Sequence, residues 1–207
     1  MNCTSIENLT LRPLSAEEMR DVYEKWMTTQ FHANELKPLS AVERLRARDE
    51  YEVYGLWDGE ALIAYAFFGK ASGGSSLLLD YYAVLPQYQD RGYGGAFLNL
   101  LRRDLSDLEA IILEVENPEF VADPQEREIA VRRVRFYERN ACVHTEIQVK
   151  LFGLEYAIMV LPLRERLTDD AVCARLAEIY HAFFPQDIYE RHVHLRRTGA
   201  GKQTEEV

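Results

Sequence analysis

Residues 78–101, LLDYYAVLPQYQDRGYGGAFLNLL, run from an apolar segment through a glycine-rich one into an amphipathic one. The first part predicts a buried β-strand, and the spacing of apolar residues in the last part predicts a helix. Gly92, Gly94 and Gly95 lie between them, where the absence of a Cβ atom lets a ligand approach the backbone. The first N–H groups of the helix, the positive end of its dipole and Arg91 all favour an anion. The segment therefore predicts a phosphate-binding turn; the alternative is a turn that only joins strand to helix.

Spacing excludes two common phosphate-binding motifs. The Walker motif, G-x-x-x-x-G-K-[ST], occurs nowhere in the chain. A dinucleotide motif, G-x-G-x-x-G, that began at Gly92 would place the bulky Phe97 at its third small residue. Neither kind of nucleotide site is therefore expected.

Two segments resemble the GNAT acyltransferase superfamily. Residues 89–94, QDRGYG, resemble its motif [Q/R]-x-x-G-x-[G/A], and they follow a strand that ends A-V-L-P, as that motif does. Residues 135–142, RFYERNAC, are similar to the family signature [L/F]-Y-E-x-x-G-F, except that Ala141 and Cys142 replace the glycine and the aromatic residue. Because asparagine tolerates a left-handed conformation better than alanine, we expect the helix to terminate on Asn140.

The resemblance implies an α/β (α+β) GNAT fold, with a mixed, mostly antiparallel central sheet of six to seven strands flanked by helices. Residues 1–163 would form the acyltransferase core, residues 164–197 a C-terminal helical extension, and residues 198–207 a disordered tail. The extension is predicted to contain a helix over 167–184 with one apolar face. That face packs on the sheet of its own subunit, on a homodimer partner, or over the acceptor site as a lid.

The resemblance also implies acetyl-CoA as cosubstrate. In the family, backbone amides of the glycine turn hold the pyrophosphate of coenzyme A, and the preceding strand lines the pantetheine arm. The implied cofactor-binding residues are Tyr82, Ala83, Val84, Gln89, Asp90, Arg91, Gly92, Tyr93, Gly94 and Gly95. One departure is Ala130, which replaces an asparagine that contacts the cofactor in many members; Arg132 or Arg133 is the expected substitute.

Acetyl transfer to an amine needs a proton acceptor, because an alkylammonium group titrates near ~10.4, and a proton donor for the departing thiolate. Glu114 matches the base of the family's N-terminal amine acetyltransferases, and Tyr137 matches its general acid. Glu116 shares a face of the predicted strand with Glu114. Asp80 is the one charge in an apolar strand, where a lone carboxylate is costly unless paired or functional. The alternatives are structural pairing for each carboxylate and a core position for Tyr137.

Composition narrows the class of protein. The net charge of −10 argues against nucleic acid as a binding partner and suits a cationic acceptor. No apolar run approaches the ~20 residues that a membrane-spanning helix needs. Without a secretory signal, a cytoplasmic location is expected. Cys3, Cys142 and Cys173 have irregular spacing, and the histidine pair at 192 and 194 has no third placed ligand, so no metal site is expected.

The sequence thus predicts an N-acyltransferase that moves acetyl from acetyl-CoA to a primary amine. The alternative is a non-catalytic acyl-CoA-binding or interaction module on the same scaffold.

Overall fold

The computed structural model describes residues 8–33 and 35–198 of the 207-residue chain. These residues form eight strands of a mostly antiparallel sheet and six helices, so the α/β class with a mostly antiparallel sheet is confirmed. Seven of these strands lie between Leu9 and Pro162, within the expected six to seven, and the C-terminal extension adds an eighth.

The strands are β1 Leu9–Pro13, β2 Tyr51–Asp58, β3 Ala61–Gly69, β4 Ser76–Val84, β5 Ala110–Glu116, β6 Val143–Leu151, β7 Leu154–Pro162 and β8 Val193–Arg197. The helices are α1 Ala16–Val22, α2 Leu39–Ala47, α3 Tyr93–Asp104, α4 Pro124–Arg139, α5 Asp169–Phe183 and α6 Gln186–His192. Helix α1 continues through a π-helical turn, Tyr23–Met27, and a last turn, Thr28–Gln30.

The described residues form two compact units. The first contains residues 8–33, 35–73 and 79–107, and the second contains residues 74–78 and 108–198. In the first unit, β1 pairs with β2 and β2 pairs with β3, both antiparallel. Asp58 still pairs with Ala61, so the hairpin turn is Gly59 and Glu60, and Gly59 has the left-handed φ of 58°. Helix α1 begins with a capping box, in which Ser15 and Glu18 satisfy each other's backbone N–H groups.

The core of the first unit lies between α1, α3 and the strands. Its fully buried side chains include Met19 and Met27 from the α1 region, Phe67 from β3, and Phe97 and Leu101 from α3. Helix α3 packs on β1 and β3. This packing holds the glycine turn that precedes α3 against the sheet.

In the second unit the strands lie in the order β5, β7, β6, β8, and every neighbouring pair is antiparallel. Phe152 and Gly153 join β6 to β7, and both have positive φ, 48° and 90°. Helix α4 packs on β5 and α5 packs on β6. The C-terminal extension therefore lies on a strand of its own chain and adds β8 beside β6.

The end of α4 differs from the expectation. Asn140 has φ −106°, whereas Ala141 has the left-handed φ of +65°. The Cys142 N–H donates to the Tyr137 carbonyl (3.1 Å) and the Ala141 N–H donates to the Glu138 carbonyl (3.3 Å). These are the two hydrogen bonds of a Schellman motif, which requires the left-handed residue one position beyond Asn140.

Within the described residues, no helix has both the length and the apolar character needed to cross a bilayer. Of the predicted tail, residues 199–207 lie outside the described residues.

Candidate active site

The glycine turn has the backbone geometry of an anion site. Gly92 is the N-cap of α3 and has φ +83°, a left-handed conformation that favours glycine. Within the described part of the chain, no side chain caps the first turn of α3. A Cβ atom added to Gly92 would meet no described heavy atom within 4 Å. Gly92 therefore borders open space at the start of a helix whose first N–H groups have no side-chain cap among the described residues, an arrangement that suits an anion.

The charge at this turn is also suited to an anion. Arg91 is exposed, and no described side chain forms an ion pair with it. Its neighbour Asp90 is exposed and has φ +58°, an uncommon value for a residue other than glycine. The positive end of the α3 dipole adds to the charge of Arg91.

The end of β4 is held by two glutamine side chains. The Val84 carbonyl accepts from Gln30 Nε2 (2.9 Å) and from Gln89 Nε2 (3.1 Å). Gln30 Oε1 in turn accepts from the Tyr65 hydroxyl (2.8 Å). The sequence analysis assigned Gln89 to the site but missed Gln30, which lies 54 positions from Val84 and belongs to no recognisable motif.

Tyr82 connects the strand to the glycine turn. Its hydroxyl donates to the Gly94 carbonyl (2.5 Å), and its ring stacks on Phe97 at 5.3 Å between centroids. Tyr82, Ala83 and Val84 are all half-buried. Strand and turn are thus brought together in the first unit, as the cofactor-binding assignment requires.

Asp80 has two strong partners. Both of its carboxylate oxygens lie 2.7 Å from Lys37 Nζ, and the Tyr51 hydroxyl donates to Oδ2. The side chains of Asp80 and Lys37 are 10% and 25% exposed. Burial, followed by the charge of Asp80, raises the pKa of Tyr51 well above its usual value, so Tyr51 is a proton donor at neutral pH. This geometry favours the structural alternative for Asp80.

Residues next to Asp80 also hold the loop that precedes α2. The Tyr81 hydroxyl accepts from the Lys37 N–H (2.8 Å) and donates to the Glu35 carbonyl (2.8 Å). The Tyr23 hydroxyl donates to the Lys37 carbonyl (2.7 Å). Asp80 and the two tyrosines therefore tie this loop to β4 and α1.

In the second unit, Glu114 and Glu116 lie two residues apart on β5 and are both half-buried. Glu114 Oε1 accepts a hydrogen bond from the Tyr180 hydroxyl of α5. No described residue hydrogen bonds to the Glu116 carboxylate or forms an ion pair with it. The two carboxylates thus share a strand face but have different surroundings.

Tyr137 lies near the end of α4 with a buried ring. Burial raises the pKa of its phenol to about 12; the nearby Arg133 opposes this rise and Cys142 adds to it. Among residues 8–33 and 35–198, no group hydrogen bonds to the Tyr137 hydroxyl. The phenol therefore carries its proton at neutral pH and is able to donate it.

The cysteine, histidine and arginine residues considered in the sequence analysis differ in their contacts and burial. Cys142 is buried, and burial raises the pKa of its thiol to about 12, which leaves little thiolate. His144 Nε2 lies 2.9 Å from Glu138, and the His192 ring stacks on Phe152. The described residues contain no cluster of three metal-ligating side chains. Ala130 is buried, and Arg132 and Arg133 are exposed on α4.

Solved structures share this fold. A protein from Bacteroides thetaiotaomicron assigned to the GNAT family superposes with a TM-score of 0.63 and 19% identity, over 81% of this chain and 94% of that one. The ribosomal-protein-S18-alanine N-acetyltransferase of Escherichia coli gives 0.53 and 17%, over 78% and 97%. The spermidine N-acetyltransferase of Vibrio cholerae, solved with CoA and spermine, gives 0.52 and 16%, over 76% and 96%.

Sequence comparison with curated proteins found no significant match. The model of the acetyltransferase (GNAT) family matches residues 13–140, which are more than half of the chain and include both the glycine turn and Tyr137. The chain belongs to the GNAT acetyltransferase family.

Proposed function

We propose that the protein is an N-acetyltransferase that transfers acetyl from acetyl-CoA to a primary amine by direct attack. Family membership supports the reaction class. The observation that supports acetyl-CoA as cosubstrate is the start of α3, which no described side chain caps. There the left-handed Gly92 borders open space and Arg91 supplies an exposed positive charge.

The residues present suit a coenzyme A thioester. The backbone N–H groups of the turn and Arg91 would hold the pyrophosphate, and the half-buried edge of β4 would lie along the pantetheine arm. The residues concerned are Tyr82, Ala83, Val84, Gln89, Asp90, Arg91, Gly92, Tyr93, Gly94 and Gly95.

Bound acetyl-CoA supplies a thioester, and the protein's task is to move two protons. Glu114 would take a proton from the acceptor ammonium group, directly or through water, because that group is mostly protonated at neutral pH. Tyr137 would give its proton to the departing sulfur. Its phenol is protonated at neutral pH, and no described residue hydrogen bonds to its hydroxyl, which supports this role. Glu116 is the second candidate base, and Asp80 is the weakest because Lys37 and Tyr51 already bind it.

The acceptor in this proposal is a small molecule or peptide with a primary amine. Two structurally similar proteins are named for amine substrates, an alanine of a ribosomal protein and spermidine. The net charge of −10 favours a cationic acceptor.

A thiol-release assay with acetyl-CoA tests the proposal. Spermidine, a peptide with N-terminal alanine and free lysine are offered as acceptors, and at least one is expected to accelerate thiol release above the rate without amine. Binding of acetyl-CoA without acceleration by any amine would favour the non-catalytic acyl-CoA-binding module. Absence of binding would refute the cosubstrate itself.

Two arginines, one before helix α3 and one near its end, provide a matched test of the glycine turn as the pyrophosphate site. Arg91 precedes the start of α3, and Arg102 is exposed in its last turn. Replacing Arg91 by alanine should raise the Kd for acetyl-CoA about tenfold, or ~1.4 kcal/mol, because a charge-assisted contact is lost. Arg102→Ala should leave the Kd unchanged. Equal effects of both substitutions would refute a local contact at Arg91.

A further inference from the structure

The C-terminal helix α5 contributes a side chain to Glu114. The Tyr180 hydroxyl donates to Glu114 Oε1 across 66 positions of the sequence. Tyr180 lies in a segment beyond the family-matched residues 13–140. The family-matched range therefore includes Glu114 but not Tyr180.

We propose that Tyr180 is a positioning residue, which orients Glu114 and stabilises its charged form for proton transfer. The proposal rests on the proposed function, in which Glu114 takes the acceptor's proton. It assigns a role in the reaction to the C-terminal extension.

The protein holds the Tyr180 hydroxyl firmly in position. The Tyr180 ring is only 1% exposed, and Val172, Leu176 and Ile179 are buried along the same helix. Helix α5 packs on β6, and Thr168 caps its start by accepting from the Ala171 N–H. A buried phenol needs a hydrogen-bond partner, and a rigid donor holds a carboxylate in one orientation.

Ionisable groups also lie on the strands and the helix next to Glu114. Glu116 shares its face of β5. On β7, the uncharged Ile158 is opposite Glu114, and Tyr156 is opposite Glu116. The cation on α5, Arg175, pairs instead with Glu109 (2.9 Å) and Glu178 (3.5 Å). Tyr180 is therefore the hydrogen-bond donor to Glu114 on which the proposal rests.

Removal of the hydroxyl should have a specific effect on protonation. A carboxylate that loses a hydrogen-bond donor binds a proton more readily, so Tyr180→Phe should make Glu114 titrate ~1 pH unit higher. The acidic limb of kcat/KM should move upward by the same amount. The Kd for acetyl-CoA should not change, because the substitution keeps the ring and does not touch the glycine turn.

The experiment is a pH titration of protein labelled with ¹³C at the glutamate carboxyl carbon, followed by NMR. Glu114→Gln identifies the Glu114 resonance by its disappearance. The matched control is Ile179→Val, which removes one buried methylene from the adjacent position of α5 and should lower the melting temperature without moving the Glu114 midpoint. Fluorotyrosine at position 180, a more acidic donor with the same ring, should move the midpoint downward.

An unchanged Glu114 midpoint in folded Tyr180→Phe would overturn the proposal, as would equal shifts in Tyr180→Phe and Ile179→Val. If Tyr180→Phe does not fold, the fluorotyrosine protein decides, and no downward shift there overturns it. A titration shift without a matching shift of kcat/KM in an active enzyme would also overturn it. If no amine is acetylated by the wild type, the proposed function fails, whereas the titration still tests the pairing on its own.

Discussion

Replacing Asp80 with asparagine separates a structural carboxylate from a catalytic base. Asp80 and Lys37 form an ion pair with both oxygens at 2.7 Å, and their side chains are 10% and 25% exposed. Breaking a fully buried pair costs ~3–5 kcal/mol, and exposed pairs contribute ~1 kcal/mol or less. Since Lys37 reaches solvent, we expect Asp80→Asn to lower the free energy of unfolding by about 2 kcal/mol. For a chain of this length, that is a fall of about 4–8 °C in Tm.

The matched control is an exposed pair in the same unit. Asp21 and Lys25 lie 2.5 Å apart with side chains 57% and 61% exposed, so Asp21→Asn should cost less than about 0.5 kcal/mol. A double-mutant cycle of Asp80→Asn with Lys37→Gln should give a coupling energy of about 1 kcal/mol or more, because each partner loses its value without the other.

Urea unfolding measures stability, and pH profiles of kcat/KM measure catalysis. The structural interpretation predicts a less stable enzyme whose pH profile keeps its shape. If Asp80→Asn instead retains wild-type stability and loses ~10²-fold in rate near neutral pH, with recovery at high pH, then Asp80 is the base and the reasoning is refuted.

Three further substitutions have distinct expected results. Tyr137→Phe should lower kcat at least ~10²-fold at neutral pH with little change in the Kd for acetyl-CoA. Because burial raises the pKa of Tyr137 to about 12, the pH profile of kcat below pH 10 should keep its shape. Wild-type turnover in Tyr137→Phe would show that Tyr137 is only a core residue. Ala141→Gly should stabilise the protein by about 0.5–1 kcal/mol in urea unfolding, since φ +65° strains alanine; destabilisation would show that the strain is absent. The hydrogen bond from Arg12, then that from the Ser15 N–H, lowers the pKa of Glu18 to about 2, below its unfolded value of ~4.3. The contribution of the Glu18 carboxylate to the free energy of unfolding is therefore fully present above pH ~4.3 and is lost as the pH falls through about 2. Glu18→Gln should lower that free energy by at most ~1 kcal/mol at pH 7 and should have no effect below pH 2; urea unfolding at both pH values measures this.

The sequence by itself determined local elements of the fold and the glycine turn that starts α3. Within residues 78–101, the apolar run predicted strand β4 and the spacing of apolar residues predicted helix α3. The left-handed Gly92 at the start of α3 agrees with the expected glycine turn. These features depend on residues a few positions apart, so backbone preferences and local hydrogen bonds are enough to specify them.

The tertiary structure alone decided which partners the site residues have. Asp80 meets Lys37 across 43 positions, and Glu114 meets Tyr180 across 66. Strand β8 forms because β6 offers it an edge, and its own pattern did not predict it. Ala141 takes the left-handed position because the backbone hydrogen bonds that close α4 require it there, against the preference for Asn140. The contacts of Asp80, Glu114 and β8 depend on which distant segments pack together in the fold. The conformation of Ala141 depends on the hydrogen bonds of the complete helix end. Residue type and spacing along the chain do not specify either geometry.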